Sequence, residues 1–144
     1  WLPQKIIERA QVVSQKVGLE SQWFNRKPHE LSEGQKQRVA IGRSIILPPK
    51  VLLLDEPVTN LDPPARVKMR NEIRKLHDDT GLTIIYVTHN MADAMAMADR
   101  IAVMKDGAFI QLATPQELWE HPANDFVKDF IEAYSMAHRF GVSH

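Results

Sequence analysis

The strongest constraint on the fold is a run of four apolar residues, Val51-Leu52-Leu53-Leu54, closed at once by Asp55-Glu56-Pro57. Pro48-Pro49 stands before it, so no helix can run into it from upstream. A short unbroken apolar run of this kind predicts a strand buried on both faces of a parallel sheet. The two carboxylates then stand at the C-terminal end of that strand, where open α/β sheets bind ligands. Aspartate at such a place suits a hard cation such as Mg²⁺, often through water. The adjacent glutamate can orient or deprotonate a water molecule. An ordinary acidic loop following a strand would show the same two residues, and the pair alone does not separate these readings.

The flanking sequence supplies the other elements of an α/β domain. Residues 3–17 predict a helix with Ile6, Ala10, Val13 and Val17 on its inner face and Gly18 to end it. After a polar, irregular stretch, Ser32 with Gln35 three residues on forms a capping-box pattern for a helix reaching about Ile46. Asp62-Pro63 reads as N-cap and first turn of a helix burying Ala65, Met69, Ile73 and Leu76, closed by Thr80-Gly81. Thr83–Thr88 is rich in β-branched residues and predicts a second buried strand. Asn90 caps a short helix with Met91, Ala94, Met95 and Ala98 inward. Arg100–Met104 and Ala108–Gln111 flank the turn residues Lys105-Asp106-Gly107 as a hairpin. Thr114-Pro115-Gln116-Glu117 is a further capping box. A last helix, about Asn124–Ala137, is expected to bury Phe126, Val127, Phe130, Ile131 and Tyr134. Alternation of strand and helix implies crossovers and a partly parallel sheet.

Composition narrows the chemistry. Eighteen basic and 18 acidic residues cancel, which argues against a protein whose work is to coat nucleic acid or an anionic membrane. With 44% hydrophobic and 25% charged residues the chain belongs to the globular class. The absence of cysteine removes disulfide scaffolds, thiolate metal sites and cysteine nucleophiles. His29, His77, His121, His138 and His144 show no metal-ligand spacing and read as surface residues.

A second motif, Leu31-Ser32-Glu33-Gly34-Gln35-Lys36-Gln37-Arg38, enters a helix through a small glycine-containing turn. Exposed N–H groups and the positive end of the helix dipole make such a turn an anion site, although an ordinary capped helix looks the same in isolation. Taken together, four motifs carry a resemblance to the nucleotide-binding subunits of ABC transporters. The 31–38 segment resembles the family's signature motif and Val51–Pro57 its Walker B strand. Thr59-Asn60-Leu61-Asp62 resembles its D-loop, and Tyr86-Val87-Thr88-His89 ends on a residue similar to its switch histidine.

The resemblance implies a role for each matching residue. Asp55 would help hold Mg²⁺, Glu56 would be the general base for attack of water on the γ-phosphate, and His89 would contact that phosphate. Ser32, Gly34 and Gln35 would face ATP bound on a second subunit, with Asp62 at the same interface. The implied partners are a second ABC ATPase subunit, in a homodimer, and transmembrane permease subunits, with a solute-binding protein engaged indirectly and no nucleic acid. The implied place is cytoplasmic, peripheral on the inner face of the plasma membrane. Two positions depart from the family's pattern. Glu33 stands where glycine is usual, adding a negative charge beside a phosphate-facing turn, and Asn90 replaces an aspartate that would cap equally well.

None of the six glycines has another five residues later, so the sequence contains no G-x-x-x-x-G-K-[ST] phosphate loop. With Trp1 as first residue, the expectation is the C-terminal part of a RecA-like P-loop ATPase core without its P-loop strand, preceded by part of the helical signature subdomain. Residues 1–48 would belong to that helical subdomain and 49–144 to the second half of the core. Such a fragment is expected to be inactive alone, and to self-associate through the uncovered edge and face of Thr83–Thr88. Leu61-Asp62-Pro63 and Thr114–Glu117 resemble the importer branch. Pro122-Ala123-Asn124-Asp125-Phe126-Val127 is most similar to ATPases of glycine betaine and other quaternary-amine uptake systems. A non-enzymatic half-domain interaction module and a non-transport ABC-type ATPase remain rival readings.

Overall fold

The computed structural model describes residues 3–139, with side chains through residue 133. Contacts divide the chain into two compact units, Trp1–Val87 and Thr88–His144, each with its own core.

The first unit contains α1 (Pro3–Lys16), α2 (Glu33–Ile45), β1 (Val51–Asp55), α3 (Pro63–Thr80) and β2 (Thr83–Val87). The expected capping box is formed: Ser32 Oγ accepts from the Gln35 N–H at 3.3 Å, and Gln35 Oε1 accepts from the Ser32 N–H at 3.0 Å. Asp62 Oδ1 caps α3 by accepting from the Ala65 N–H at 2.9 Å, and Gly81, in the left-handed region at φ 63°, ends it. Val17, Ile41, Met69, Ile73 and Leu76 line one small cleft between α1, α2 and α3. The boundary expected at residue 48 therefore falls inside this unit, because α3 packs on the helices that precede it.

Two expectations for α1 fail. Val13 and Val17 are buried, but Ile6 and Ala10 are exposed. The apolar packing of α1 on α2 is at its C-terminal end, where Gly42 leaves room for Val13 and Val17. Higher up, Arg9 donates to the carbonyls of Ile45 and Ile46 and so closes the end of α2. His77 is likewise no simple surface residue. It is half-buried, with Nδ1 2.8 Å from the Leu82 carbonyl, and it ties the end of α3 to the start of β2.

β1 and β2 pair in parallel, Leu53 opposite Ile85 and Asp55 opposite Val87. Leu52 and Leu54 are buried, whereas Leu53 is 64% and Ile85 52% exposed, with Val51 and Val87 beside them on the same face. Burial of β1 on both faces is thus not realised: among the described residues only one face of this two-stranded sheet is covered. Exposed apolar faces of this kind favour association. Sedimentation velocity on the chain is expected to show concentration-dependent association, shifted toward monomer by Leu53→Lys with Ile85→Lys. A compact monomer at all concentrations would refute this.

The second unit contains α4 (Met91–Met97), the antiparallel hairpin β3 (Ile101–Lys105) and β4 (Ala108–Ala113), α5 (Pro115–Glu120) and α6 (Asp125–Arg139). Asp106 and Gly107 both take positive φ, 49° and 77°, as a two-residue primed hairpin turn requires. Asn90 Oδ1 caps α4 by accepting from the Ala92 and Asp93 N–H groups. Met91, Ile101, Val103, Ala113, Leu118, Val127 and Ile131 form the core. Phe126 packs against it, and its ring lies 4.6 Å from Lys105 Nζ. Phe130, expected inside, is 39% exposed and stacks on Phe126 instead, and Tyr134 lies outside the described side chains. Thr114 and Glu117 form the expected capping box at α5. Hydrogen bonds from the backbone and then the hydroxyl of Thr114 hold the Glu117 carboxyl below its ordinary value.

Candidate functional site

The residues singled out from the sequence fall into three stretches, two of them adjoining in the first unit and one in the second. The first is the start of α2. Ser32 and Gln35 are consumed by the capping box, and the helical ladder begins with the Lys36 N–H donating to the Ser32 carbonyl at 2.9 Å. The N–H groups of Glu33 and Gly34 have no acceptor among the described residues, which is the ordinary condition of the first helical turn. Glu33 pairs with Lys36, Oε1 to Nζ at 2.6 Å, both side chains well exposed. Its charge is therefore balanced along the flank of α2. A Cβ on Gly34 would meet only Leu61 Cδ2, at 3.8 Å, so the turn at the start of α2 lies against the 59–62 loop.

The second stretch is the end of β1 and the loop after it. Asp55 is exposed at the strand's last position. The Glu56 N–H still donates to the Val87 carbonyl at 2.9 Å, extending the pairing with β2 by one residue. Glu56 then turns the chain at φ 46°, in the left-handed region. A non-glycine residue there is held against a local energetic preference of about 1 kcal/mol or more. Buried Pro57 and Val58 follow, and Val58 is only 2% exposed, so the turn is anchored from below. The Thr59 N–H donates to the Glu56 carbonyl at 3.3 Å and the Thr59 hydroxyl to Glu56 Oε2 at 2.9 Å. The loop closes with the Leu61 N–H on the Val58 carbonyl, and Asp62 caps α3.

The third stretch is His89, exposed in the second unit between Thr88 and the cap residue Asn90. Among the described residues no group of three or more His, Cys, Asp or Glu could hold a metal ion by itself.

Sequence reasoning missed two features. It took Arg38 only as the end of the 31–38 motif, yet Arg38 is buried, ion-paired with Glu72 of α3, and donates to the Val17 carbonyl at 3.2 Å. Thr59, in the sequence one residue of a loop motif, hydrogen-bonds Glu56. The three-residue spacing of a carboxylate and a hydroxyl across a proline-containing turn was the available signal.

Residues 4–59 match the family model described as ABC transporter. The chain is 51% identical to the trehalose/maltose import ATP-binding protein MalK of Thermococcus litoralis, over 89% of this chain and 34% of that protein. It is 50% identical to the osmoprotective compounds uptake ATP-binding protein GgtA of Synechocystis, over 92% and 36% respectively. It is 53% identical to the Fe(3+) ions import ATP-binding protein FbpC of Rhizobium etli, over 74% and 30%. The chain thus spans about a third of the length of these curated relatives. Among solved structures it is similar to the dimeric ATP-binding cassette MJ0796 bound to ADP and Pi. The TM-score is 0.68 at 32% identity, covering 80% of this chain and 49% of that one. The fold is α/β, with a parallel strand pair and crossover helix matching the ABC ATPase fold.

Proposed function

We propose that this chain is the part of an ABC importer ATP-binding subunit that supplies the water-activating carboxylate, the signature turn and the switch histidine for ATP hydrolysis. The observation that supports this reading best is Glu56, exposed at the end of a parallel strand in a left-handed backbone conformation and hydrogen-bonded by Thr59. Strained backbone is retained where a side chain must be aimed.

In this reading Glu56 accepts the proton of the attacking water, and Asp55 holds Mg²⁺ through its exposed carboxylate. Mg²⁺ supplies charge neutralisation at the phosphates. His89 contacts the γ-phosphate. Ser32, Gly34 and Gln35 meet ATP on a second, head-to-tail subunit, with Asp62 at that interface. The N–H groups of Glu33 and Gly34 suit an anion, and the pairing of Glu33 with Lys36 limits the repulsion that the glutamate would otherwise add.

The phosphate cradle has to come from outside these 144 residues, since they hold no P-loop pattern. In this reading the subunit works at the cytoplasmic face of the membrane with permease subunits. Uptake of an osmoprotectant or quaternary amine is the reading of the 122–127 tail, and one relative is named for osmoprotective compounds. Relatives named for sugar and iron import match at similar identity, and in this reading solute choice lies with the other subunits.

Equilibrium binding of Mg²⁺-ATP, with turnover followed in the same sample, tests the proposal. The chain alone should neither bind nor hydrolyse, and the protein encoded by the complete reading frame containing it should do both. Hydrolysis by the chain alone, or its absence from the complete protein, would refute the assignment.

A further inference from the structure

We infer that Thr59 is the positioning residue for the general base: its hydroxyl fixes the Glu56 carboxylate in the orientation from which it takes a proton from water. The inference rests on the proposed ATPase reading and adds to it a residue with a defined task.

A glutamate side chain has three rotatable bonds, and at an exposed site it samples many rotamers. Exposed Glu56 therefore needs something to aim it. The backbone contributes first. The Glu56 N–H is tied to Val87 of β2, and the left-handed φ directs the side chain differently from a continued strand. The remaining freedom lies in the side chain, and the Thr59 hydroxyl donates to Oε2 at 2.9 Å. Thr59 is itself placed by the same turn, through its N–H on the Glu56 carbonyl and through the anchor of buried Val58.

The loop thus forms a small ring: backbone from 56 to 59, closed a second time by hydroxyl and carboxylate. The hydrogen bond from Thr59 to Oε2 narrows the orientations open to the carboxylate. Catalytic groups must be held within a narrow range of geometry to act, and small misplacement lowers turnover steeply. The role inferred for Thr59 requires no contact with a reacting atom. Thr59 acts through Glu56, and its effect should appear in kcat and not in nucleotide binding.

The test is a set of variants of the protein encoded by the complete reading frame: Thr59→Val, Thr59→Ser, Glu56→Gln and the Glu56→Gln/Thr59→Val double. Valine matches threonine in shape and lacks the hydroxyl, so thermal melting checks that the fold is kept. Thr59→Val should lower kcat roughly 10-fold, with KM for Mg²⁺-ATP unchanged, as for the loss of an orienting hydrogen bond. Thr59→Ser should restore most of the rate. In the Glu56→Gln background, Thr59→Val should add nothing, because residues acting through one another are non-additive.

An unchanged kcat in Thr59→Val would overturn the inference while leaving the ATPase reading intact. So would a full additional loss in the Glu56→Gln background, or a defect in Thr59→Ser equal to that of valine. Absence of turnover in the unmodified protein would overturn the ATPase reading and this inference with it. A readout independent of turnover is the Glu56 side-chain carboxyl ¹³C resonance of the chain itself. It should move in Thr59→Val and hold in Thr59→Ser, and no movement in valine would also overturn the inference.

Discussion

Replacing Glu72 by leucine is expected to lower the unfolding free energy of the first unit by about 3 kcal/mol, read by urea denaturation followed by circular dichroism. The reason is the charge left behind. Arg38 is 8% exposed, its guanidinium meets the Glu72 carboxylate, and among the described residues its other acceptor is the Val17 carbonyl. Removing the carboxylate leaves a buried cation with one neutral acceptor, and burying an unpaired charge is among the most destabilising single changes. Glu72 is itself 27% exposed at the side chain, so water offsets part of the loss.

The control is the double variant Arg38→Met/Glu72→Leu. With both charges gone the desolvation penalty goes too, and most of the stability should return. If the single variant were as stable as the original chain, the pair would be idle. Gly18 makes room for this pair. It takes φ +64°, and a Cβ there would lie 2.5 Å from Arg38 Nη1. The end of α1 has thus been kept bare to admit the guanidinium. This contact fastens α2, which begins at the Ser32–Gln35 turn, to α3, which begins at Asp62.

The second large effect concerns Glu56. In the protein encoded by the complete reading frame, Glu56→Gln should lower kcat by roughly 10²–10⁴, the range typical of a general base, with KM for Mg²⁺-ATP little altered. Glutamine keeps size and polarity and can still accept from Thr59 through its carbonyl oxygen, so the left-handed turn at 56 should survive. What it lacks is the basicity to take a proton. A rate within a few-fold of the unmodified protein would remove Glu56 from the role of base. A loss confined to KM would make it a binding residue.

Much of this protein was legible in its sequence because much of its local structure is decided within three or four residues. The caps at Ser32, Asp62, Asn90 and Thr114 were read from single letters and their neighbours, and each is formed. A cap is a hydrogen bond between residues two or three apart, so no distant partner can revise it. The Asp106-Gly107 turn and the end of α3 at Gly81 belong to the same class, since glycine, and to a lesser degree aspartate, takes left-handed φ without help from distant partners. The order of strands and helices followed from periodicity for a similar reason.

Only the tertiary structure decided what those elements touch. Apolar letters in Leu53, Ile6 and Phe130 gave no sign that these side chains would be exposed, because burial is conferred by partners far along the chain. Arg38 read as one basic residue of a polar helix start, and it became a buried clamp only when α3 brought Glu72 to it. Thr59 and Glu56 were both visible, but their bond depends on a left-handed turn at a residue that seldom adopts one. That turn is imposed by the pairing of β1 with β2 and by the burial of Val58. The sequence by itself determined where the elements start and stop and which residue types stand at their ends. The tertiary structure decided which faces are covered and how the carboxylate is aimed, since both depend on contacts between residues that the chain keeps apart.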